Sequence, residues 1–161
     1  MFNKILLPVD GTNYSIEAMN EAKKIAEAFG SEVILLHVME TTTEDYPSNP
    51  YKFSRELVDK LKQEHRQISD RIIESYKKEL DVLGERLTII QRDGLPCTEI
   101  VSLAEEKNVD LIVMGASGTR GFLGMIGSVA RKVAINSKRS VLLVKSPPEN
   151  SALKEGEKIN C

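Results

Sequence analysis

Four short apolar runs, separated by segments with helical periodicity, constrain the fold of this 161-residue chain more than any other feature. The runs are almost continuous and rich in branched side chains, as is typical of parallel strands that helices cover on both faces. They comprise residues 5–9, 33–36, 111–114 and 141–144. Residues 87–91 form a shorter, more polar run, and we place them as a fifth strand nearer an edge of the sheet.

The segments between the runs carry apolar residues at helical spacing. The first predicted helix begins at Thr12 or Asn13, which suit an N-cap, and stops at Gly30. A second, longer helix has apolar residues at helical spacing, Ile68 and Tyr76 among them, and ends at Gly84. A third begins at Pro96, and a fourth precedes the last run. This alternation predicts a single doubly wound α/β domain, with a five-stranded parallel sheet and helices on both faces.

Length and composition indicate one domain with a short tail. A chain of this size can bury roughly 70% of its unfolded surface in a single core. We predict an α/β domain over residues 1–146 and a polar C-terminal tail over residues 147–161, with residues 41–53 as an irregular insertion. The chain has two cysteines, too few for a disulfide framework, and this predicts a cytoplasmic location.

The charge pattern and the lengths of the apolar runs argue against nucleic acid and membranes as partners. The formal net charge is −2, both signs are interspersed and aromatic residues are few, so no basic stacking surface for nucleic acid is expected. No apolar run approaches the length of a membrane span. We therefore predict neither a nucleic-acid partner nor membrane association.

Glycine recurs at every third position just after the fourth strand run. Glycine weakens a helix or strand by roughly 0.5–1 kcal/mol relative to alanine, so this density predicts a loop. Where Cβ atoms are absent, backbone N–H groups can approach a bulky anion and form an anion-binding nest. A flexible surface loop is the alternative interpretation. The five glycines are Gly115, Gly118, Gly121, Gly124 and Gly127.

Two chemically distinctive groups follow the first and fourth strand runs. Ligands of open α/β sheets bind beyond the carboxyl ends of the strands, where the winding reverses. The glycine loop leads to Gly127 and Ser128 at a helix start, where free N–H groups and the positive dipole end favour phosphate. A lone carboxylate there would repel phosphate, so we interpret Asp10 as a ligand for ribose hydroxyls or for a shared divalent cation. The loop has no lysine before Ser128, as a P-loop requires, and it follows the fourth strand, whereas a dinucleotide-binding fingerprint follows the first.

These segments together resemble the universal stress protein family over residues 4–145. The matching segments read ILLPVDG at residues 5–11, LLHV at residues 35–38, DLIVMG at residues 110–115 and GSV at residues 127–129. The nucleotide-binding branch of that family carries the motif G-x2-G-x9-G-[ST]. In this chain eight residues, in place of nine, separate Gly118 from Gly127.

The resemblance implies a Rossmann-like sheet with strand order 3-2-1-4-5 and a site for ATP, or for AMP or ADP, with Mg²⁺ or Mn²⁺. The binding residues that it implies surround the strand ends and the glycine loop. They are Gly115, Gly118, Gly127 and Ser128 for phosphate and ribose, Asp10 for ribose or metal, the backbones of Val9 and Val38 for adenine, Val129 in support of the phosphate loop, and Pro8 and Met114 beside them.

We predict a cytoplasmic ATP-binding stress-response protein that acts as a nucleotide-dependent switch on an unknown protein partner. The resemblance implies a homodimer that pairs through strand 141–145. A slow ATP hydrolase or phosphoryl-transfer enzyme is one alternative, and an adaptor with a vestigial site is another. No catalytic residue is predicted. We interpret His37 as a packed, hydrogen-bonded strand residue, His65 as part of an exposed helical stretch, and Arg120 as a solvent-facing loop residue.

Overall fold

A computed structural model describes residues 1–40, 55–117 and 125–146. Five strands alternate with four α-helices along these ranges, and a short 3-10 helix follows the second α-helix. The elements are β1 (Lys4–Pro8), α1 (Asn13–Phe29), β2 (Glu32–Glu40), α2 (Arg55–Leu80), the 3-10 helix (Asp81–Arg86), β3 (Leu87–Gly94), α3 (Pro96–Glu106), β4 (Leu111–Gly115), α4 (Ser128–Asn136) and β5 (Ser140–Val144).

The five strands form one parallel sheet in the order β3-β2-β1-β4-β5. The predicted fold class and strand order are therefore confirmed, and the polar strand β3 lies at an edge as predicted. Leu6 of the central strand β1 pairs with Ile34 on one side and with Ile112 on the other. The winding reverses beside β1, so a crevice is expected at its carboxyl end, between β1 and β4.

Alternate residues of β1 enter two separate cores. Ile5 and Leu7 pack with α1 and α2 on one face, whereas Leu6 packs with α3 and α4 on the other, and all three are fully buried. Burial of each such side chain contributes about 1.5–3 kcal/mol. This two-sided burial explains why the strand runs are continuously apolar rather than alternating.

The ends of α1 follow the local signals in the sequence. The side chain of Thr12, the N-cap, accepts a hydrogen bond from the Ser15 N–H. Gly30 ends the helix in the left-handed conformation, with φ of 69°, and its N–H donates to the Ala26 carbonyl. The predicted caps are confirmed, with Thr12 rather than Asn13 at the start.

The second helix differs from its prediction in two respects. It ends at Leu80 rather than at Gly84, because the chain continues as a 3-10 helix in which Gly84 has a non-helical φ of 55°. Ile68, which helical spacing groups with the apolar residues, is 54% exposed, whereas Ser69 is buried. The helix presents Ser69 to the sheet because its hydroxyl bonds to a polar side chain of β2.

Strands β2 and β3 are longer than their apolar runs predict. They pair continuously from Val33 and Leu87 to Glu40 and Gly94, so polar residues also join the ladder. The predicted insertion and the predicted tail lie outside the described residues, and the domain division stays a prediction. None of the helices in the described ranges is long and apolar enough to cross a membrane.

Candidate functional site

A cleft of about 450 Å³ opens at the carboxyl ends of β1, β2 and β4, beside the starts of α3 and α4. Every predicted binding residue in the described ranges lines it, and Gly118 lies outside those ranges. The lining residues are Pro8, Val9, Asp10, Ser15, Leu36, Val38, Glu40, Pro96, Ile100, Met114, Gly115, Ser117, Met125, Ile126, Gly127, Ser128, Val129 and Ala130.

Asp10 is held at the cleft by the turn that follows β1. Its Oδ1 accepts hydrogen bonds from Thr12 N at 3.0 Å, Thr12 Oγ1 at 2.6 Å and Ser15 Oγ at 3.0 Å. Gly11 makes the turn possible with a φ of 82°, a conformation that L side chains rarely adopt. The turn therefore fixes the direction in which this carboxylate faces the cleft.

Val9 and Val38, whose backbones the resemblance implies for adenine, both line the cleft. The N–H of Val9 donates to the Leu36 carbonyl at 2.9 Å, which extends the sheet by one residue. A backbone hydrogen bond from Val9 to a base would therefore use its carbonyl oxygen. The half-buried Val38 packs against the core formed with α3 and α4.

Gly115 has a structural reason to lack a side chain. A Cβ at this position would lie 2.8 Å from both the backbone carbon and the Cβ of Tyr14. Contacts this short do not occur between real side chains, so the start of α1 can approach the end of β4 only over a glycine. Packing alone thus requires Gly115, whatever ligand occupies the cleft.

The start of α4 presents backbone donors to the cleft. Gly127, the N-cap, has extended dihedral angles and provides no side-chain cap. Its own N–H donates to the Ala116 carbonyl at 2.8 Å, so this group is already engaged. The N–H groups of Ser128, Val129 and Ala130 come next, and the first turn of a helix has no internal acceptor for such groups. Together with the helix dipole they favour an anion.

Ser117 is a cleft residue that sequence reasoning missed. It is only 6% exposed, and its Oγ has no hydrogen-bond partner among the described residues. A buried hydroxyl without a partner costs about 1–3 kcal/mol, so a ligand atom that accepts its proton would recover that energy. Its place two residues after β4, between the motif glycines Gly115 and Gly118, was the available signal, but a serine in a loop is too common to single out.

The charges of the described cleft are acidic. Asp10 and Glu40 both line it, and sequence reasoning also missed Glu40. The described residues contain no cluster of three or more histidine, cysteine, aspartate or glutamate side chains able to hold a metal ion. A cation beside Asp10 would therefore need oxygens from a bound ligand as well.

The histidines match their sequence interpretation in part. His37 is 8% exposed, and its Nδ1 lies 2.7 Å from Ser69 Oγ, so the packed, hydrogen-bonded interpretation is confirmed. Burial lowers the pKa of His37, and the Asp10 carboxylate opposes this shift. His65 is itself half-buried, in a helical stretch whose other residues from 62 to 68 are exposed, as its interpretation expects. Arg120 lies outside the described residues.

The comparison with known families agrees with this architecture. The model of the universal stress protein family matches residues 1–145. The chain belongs to the universal stress protein family. Residues 1–145 contain the whole sheet and both sides of the cleft, so the family assignment applies to the domain that builds the candidate site.

Individual universal stress proteins are similar over most of their length. MJ0531 of Methanocaldococcus jannaschii is 35% identical over 148 residues, which cover 91% of this chain and 84% of that protein. The solved structure of MJ0577, from the same organism, has a TM-score of 0.79 at 32% identity and covers 92% of this chain and 99% of its own. A universal stress protein solved in complex with cAMP shares the fold, with a TM-score of 0.62 at 23% identity over 89% and 96% of the two chains.

Proposed function

We propose that this universal stress protein binds ATP in the cleft and acts as a nucleotide-dependent dimeric switch in a cytoplasmic stress response. One observation carries the proposal: among the described residues, the start of α4 has no side-chain cap and the Ser117 hydroxyl has no hydrogen-bond partner, and both line the same cleft. Helix N–H groups and a buried hydroxyl are all hydrogen-bond donors, and phosphate oxygens are the acceptors that satisfy them best.

The rest of the cleft supports a nucleotide rather than a free phosphate. Val9, Val38 and Ile100 supply an apolar end, as a base requires, and the volume lies within the usual range for small-molecule sites. Asp10 lies at the end of β1, where it is suited to ribose hydroxyls or to Mg²⁺ or Mn²⁺ shared with the phosphates. The neighbouring structure in complex with cAMP supports an adenine nucleotide as the ligand class.

The edge strand β5 supports the dimer. It pairs with β4 on one side, and Leu142 is 37% exposed. An apolar edge strand with open backbone groups favours aggregation unless another strand covers it. A second copy of β5 across a two-fold axis is the simplest cover. We also propose that nucleotide binding changes the dimer and that a protein partner senses this change.

Calorimetry with Mg²⁺ and ATP tests the proposed ligand. Wild-type protein should bind ATP, whereas Gly127→Val should lose binding, because a branched side chain at the N-cap blocks the approach of phosphate to the α4 N–H groups. Valine adopts the extended dihedral angles of Gly127, so the variant should fold. Asn136→Val, at the opposite end of α4, is the control and should bind as the wild type does. Equal affinity in all three proteins would refute this site.

A further inference from the structure

A chain of polar groups runs from the interior of the domain to the cleft. It starts at the hydroxyl of Tyr76 on α2, which is 3% exposed and lies 2.6 Å from Ser15 Oγ. Ser15 Oγ in turn lies 3.0 Å from Asp10 Oδ1, and Asp10 lines the cleft. Helix α2 is thus connected to Asp10, the residue expected to bind the ribose, through the single side chain of Ser15.

The direction of these hydrogen bonds follows from the number of protons. Ser15 Oγ has one proton, and its possible acceptors are Asp10 Oδ1 and the Thr12 carbonyl, neither of which can donate. The 2.6 Å contact with Tyr76 admits either hydroxyl as donor, and Tyr76 is the donor when Ser15 gives its proton to Asp10 or Thr12. Ser15 Oγ also accepts from the Asp10 N–H at 3.3 Å, so both of its lone pairs are used.

The hydroxyl of Tyr76 has no evident role in packing. Its ring belongs to the core on the α1 and α2 face, where phenylalanine would fill the same space. Burial has the largest effect on the pKa of Tyr76 and raises it, and the Asp10 carboxylate raises it as well. The net pKa is raised, so the hydroxyl remains a donor at neutral pH. The groups near this hydroxyl, Asp10, Gly11 and Ser15, lie in the turn that carries Asp10 and in the first turn of α1.

We propose that Tyr76 is a positioning residue for the nucleotide site. Acting through Ser15, its hydroxyl keeps Asp10 Oδ1 bound to the turn and presents Oδ2 to the ribose hydroxyls. A carboxylate that is already ordered loses less conformational freedom when the ligand binds, which strengthens binding. The inference rests on the proposed function, because it assigns the ribose as the group that Asp10 contacts.

The test compares ATP with dideoxy-ATP, which lacks both ribose hydroxyls, by calorimetry on the full chain. Tyr76→Phe should reduce the preference for ATP over dideoxy-ATP about three- to tenfold, the equivalent of one net hydrogen bond. The affinity of Tyr76→Phe for dideoxy-ATP should stay within about twofold of wild type, because this nucleotide lacks the ribose hydroxyls that Asp10 would contact. Ser75→Ala removes a hydroxyl from the exposed face of α2 and is the matched control. If Tyr76→Phe weakens both nucleotides equally, its role is merely structural.

A double-variant cycle tests the path through Ser15. Ser15→Ala should reduce the preference at least as much as Tyr76→Phe, and adding Tyr76→Phe to Ser15→Ala should change it no further. Additive losses would overturn the proposed path, because they would mean that the two hydroxyls act independently.

Amide hydrogen exchange of the ligand-free chain separates this inference from the proposed function. The Thr12 amide donates to Asp10 Oδ1, and the Asp10 amide donates to Ser15 Oγ. In Tyr76→Phe both amides should exchange about three- to tenfold faster, while β2 amides keep their rates. If wild-type protein bound neither nucleotide, the proposed function would fail. Unchanged exchange of both amides would show that Tyr76 does not hold the turn.

Discussion

Replacing Ser117 with alanine should stabilise the ligand-free protein and weaken ATP binding, two effects of opposite sign from one atom. The Oγ is buried and has no partner among the described residues, so folding removes it from water without compensation. A bound phosphate would provide the hydrogen-bond acceptor that the described residues do not offer to this hydroxyl. On the proposed function, this hydroxyl, unpaired among the described residues, lowers stability in favour of binding.

The expected size follows from the burial of this hydroxyl. Losing an unpaired buried hydroxyl should raise the free energy of unfolding by about 1 kcal/mol, the lower end of the range for such groups. For a domain of this size that corresponds to a melting temperature about 2–4 °C higher. A hydrogen bond to a charged acceptor contributes about 1.5–3 kcal/mol, so ATP should bind roughly 10- to 100-fold more weakly.

Thermal unfolding without nucleotide and calorimetry with ATP measure the two effects separately. Ser102→Ala, on an exposed position of α3, is the control and should change neither quantity appreciably. A lower melting temperature in Ser117→Ala would mean that the hydroxyl already has a partner in the folded chain. Unchanged ATP affinity would mean that it does not contact the ligand. Either result would refute the argument from the unpaired hydroxyl.

Four further outcomes are expected. Gly115→Ala should destabilise the fold by about 1–3 kcal/mol in chemical denaturation, because its Cβ would meet Tyr14; an unchanged midpoint would contradict this close packing. Burial keeps the pKa of His37 below the ordinary 6.5 in the folded chain, so the unfolded chain binds more protons below that pH and stability should fall on acidification. His37→Asn should reduce that loss in pH-dependent melting, and His65→Gln should not. Leu142→Lys should shift the light-scattering mass from two chains towards one, since a charge on an edge strand opposes pairing; a monomeric wild type would exclude the dimer. Bound ATP should survive many minutes in a single-turnover assay, because ground-state phosphate binding does not by itself lower the barrier to hydrolysis; product within seconds would favour the enzyme alternative.

The sequence by itself determined the architecture. Strands buried on both faces must be apolar throughout, so their number and order along the chain are visible as short runs. Helix ends depend on a few neighbouring residues, and Thr12, Gly30 and Pro96 are at the ends that they predict. These signals are local, and parallel connections leave few ways to arrange the elements. The resemblance to the family motif then predicted which residues would line the cleft.

The tertiary structure alone decided which groups of the cleft are free and which are already engaged. The sequence predicts that the backbones of Val9 and Gly127 contact a ligand, yet the N–H groups of both residues donate to carbonyls of other segments. Gly115 reads as a phosphate-binding glycine, but it also makes room for Tyr14, about 100 residues earlier in the chain. Such contacts depend on distances between segments, which no local pattern contains.

The buried polar groups show the same limit most clearly. Tyr76 follows the apolar spacing of its helix, and only the fold brings its hydroxyl to Ser15, 61 residues away in sequence. Ser117 is an ordinary loop serine until the packed sheet and helices enclose it. Whether a polar atom is buried, and whether an acceptor lies within 3 Å, is decided when distant segments meet, because hydrogen bonding depends on short distance and direction rather than on residue type.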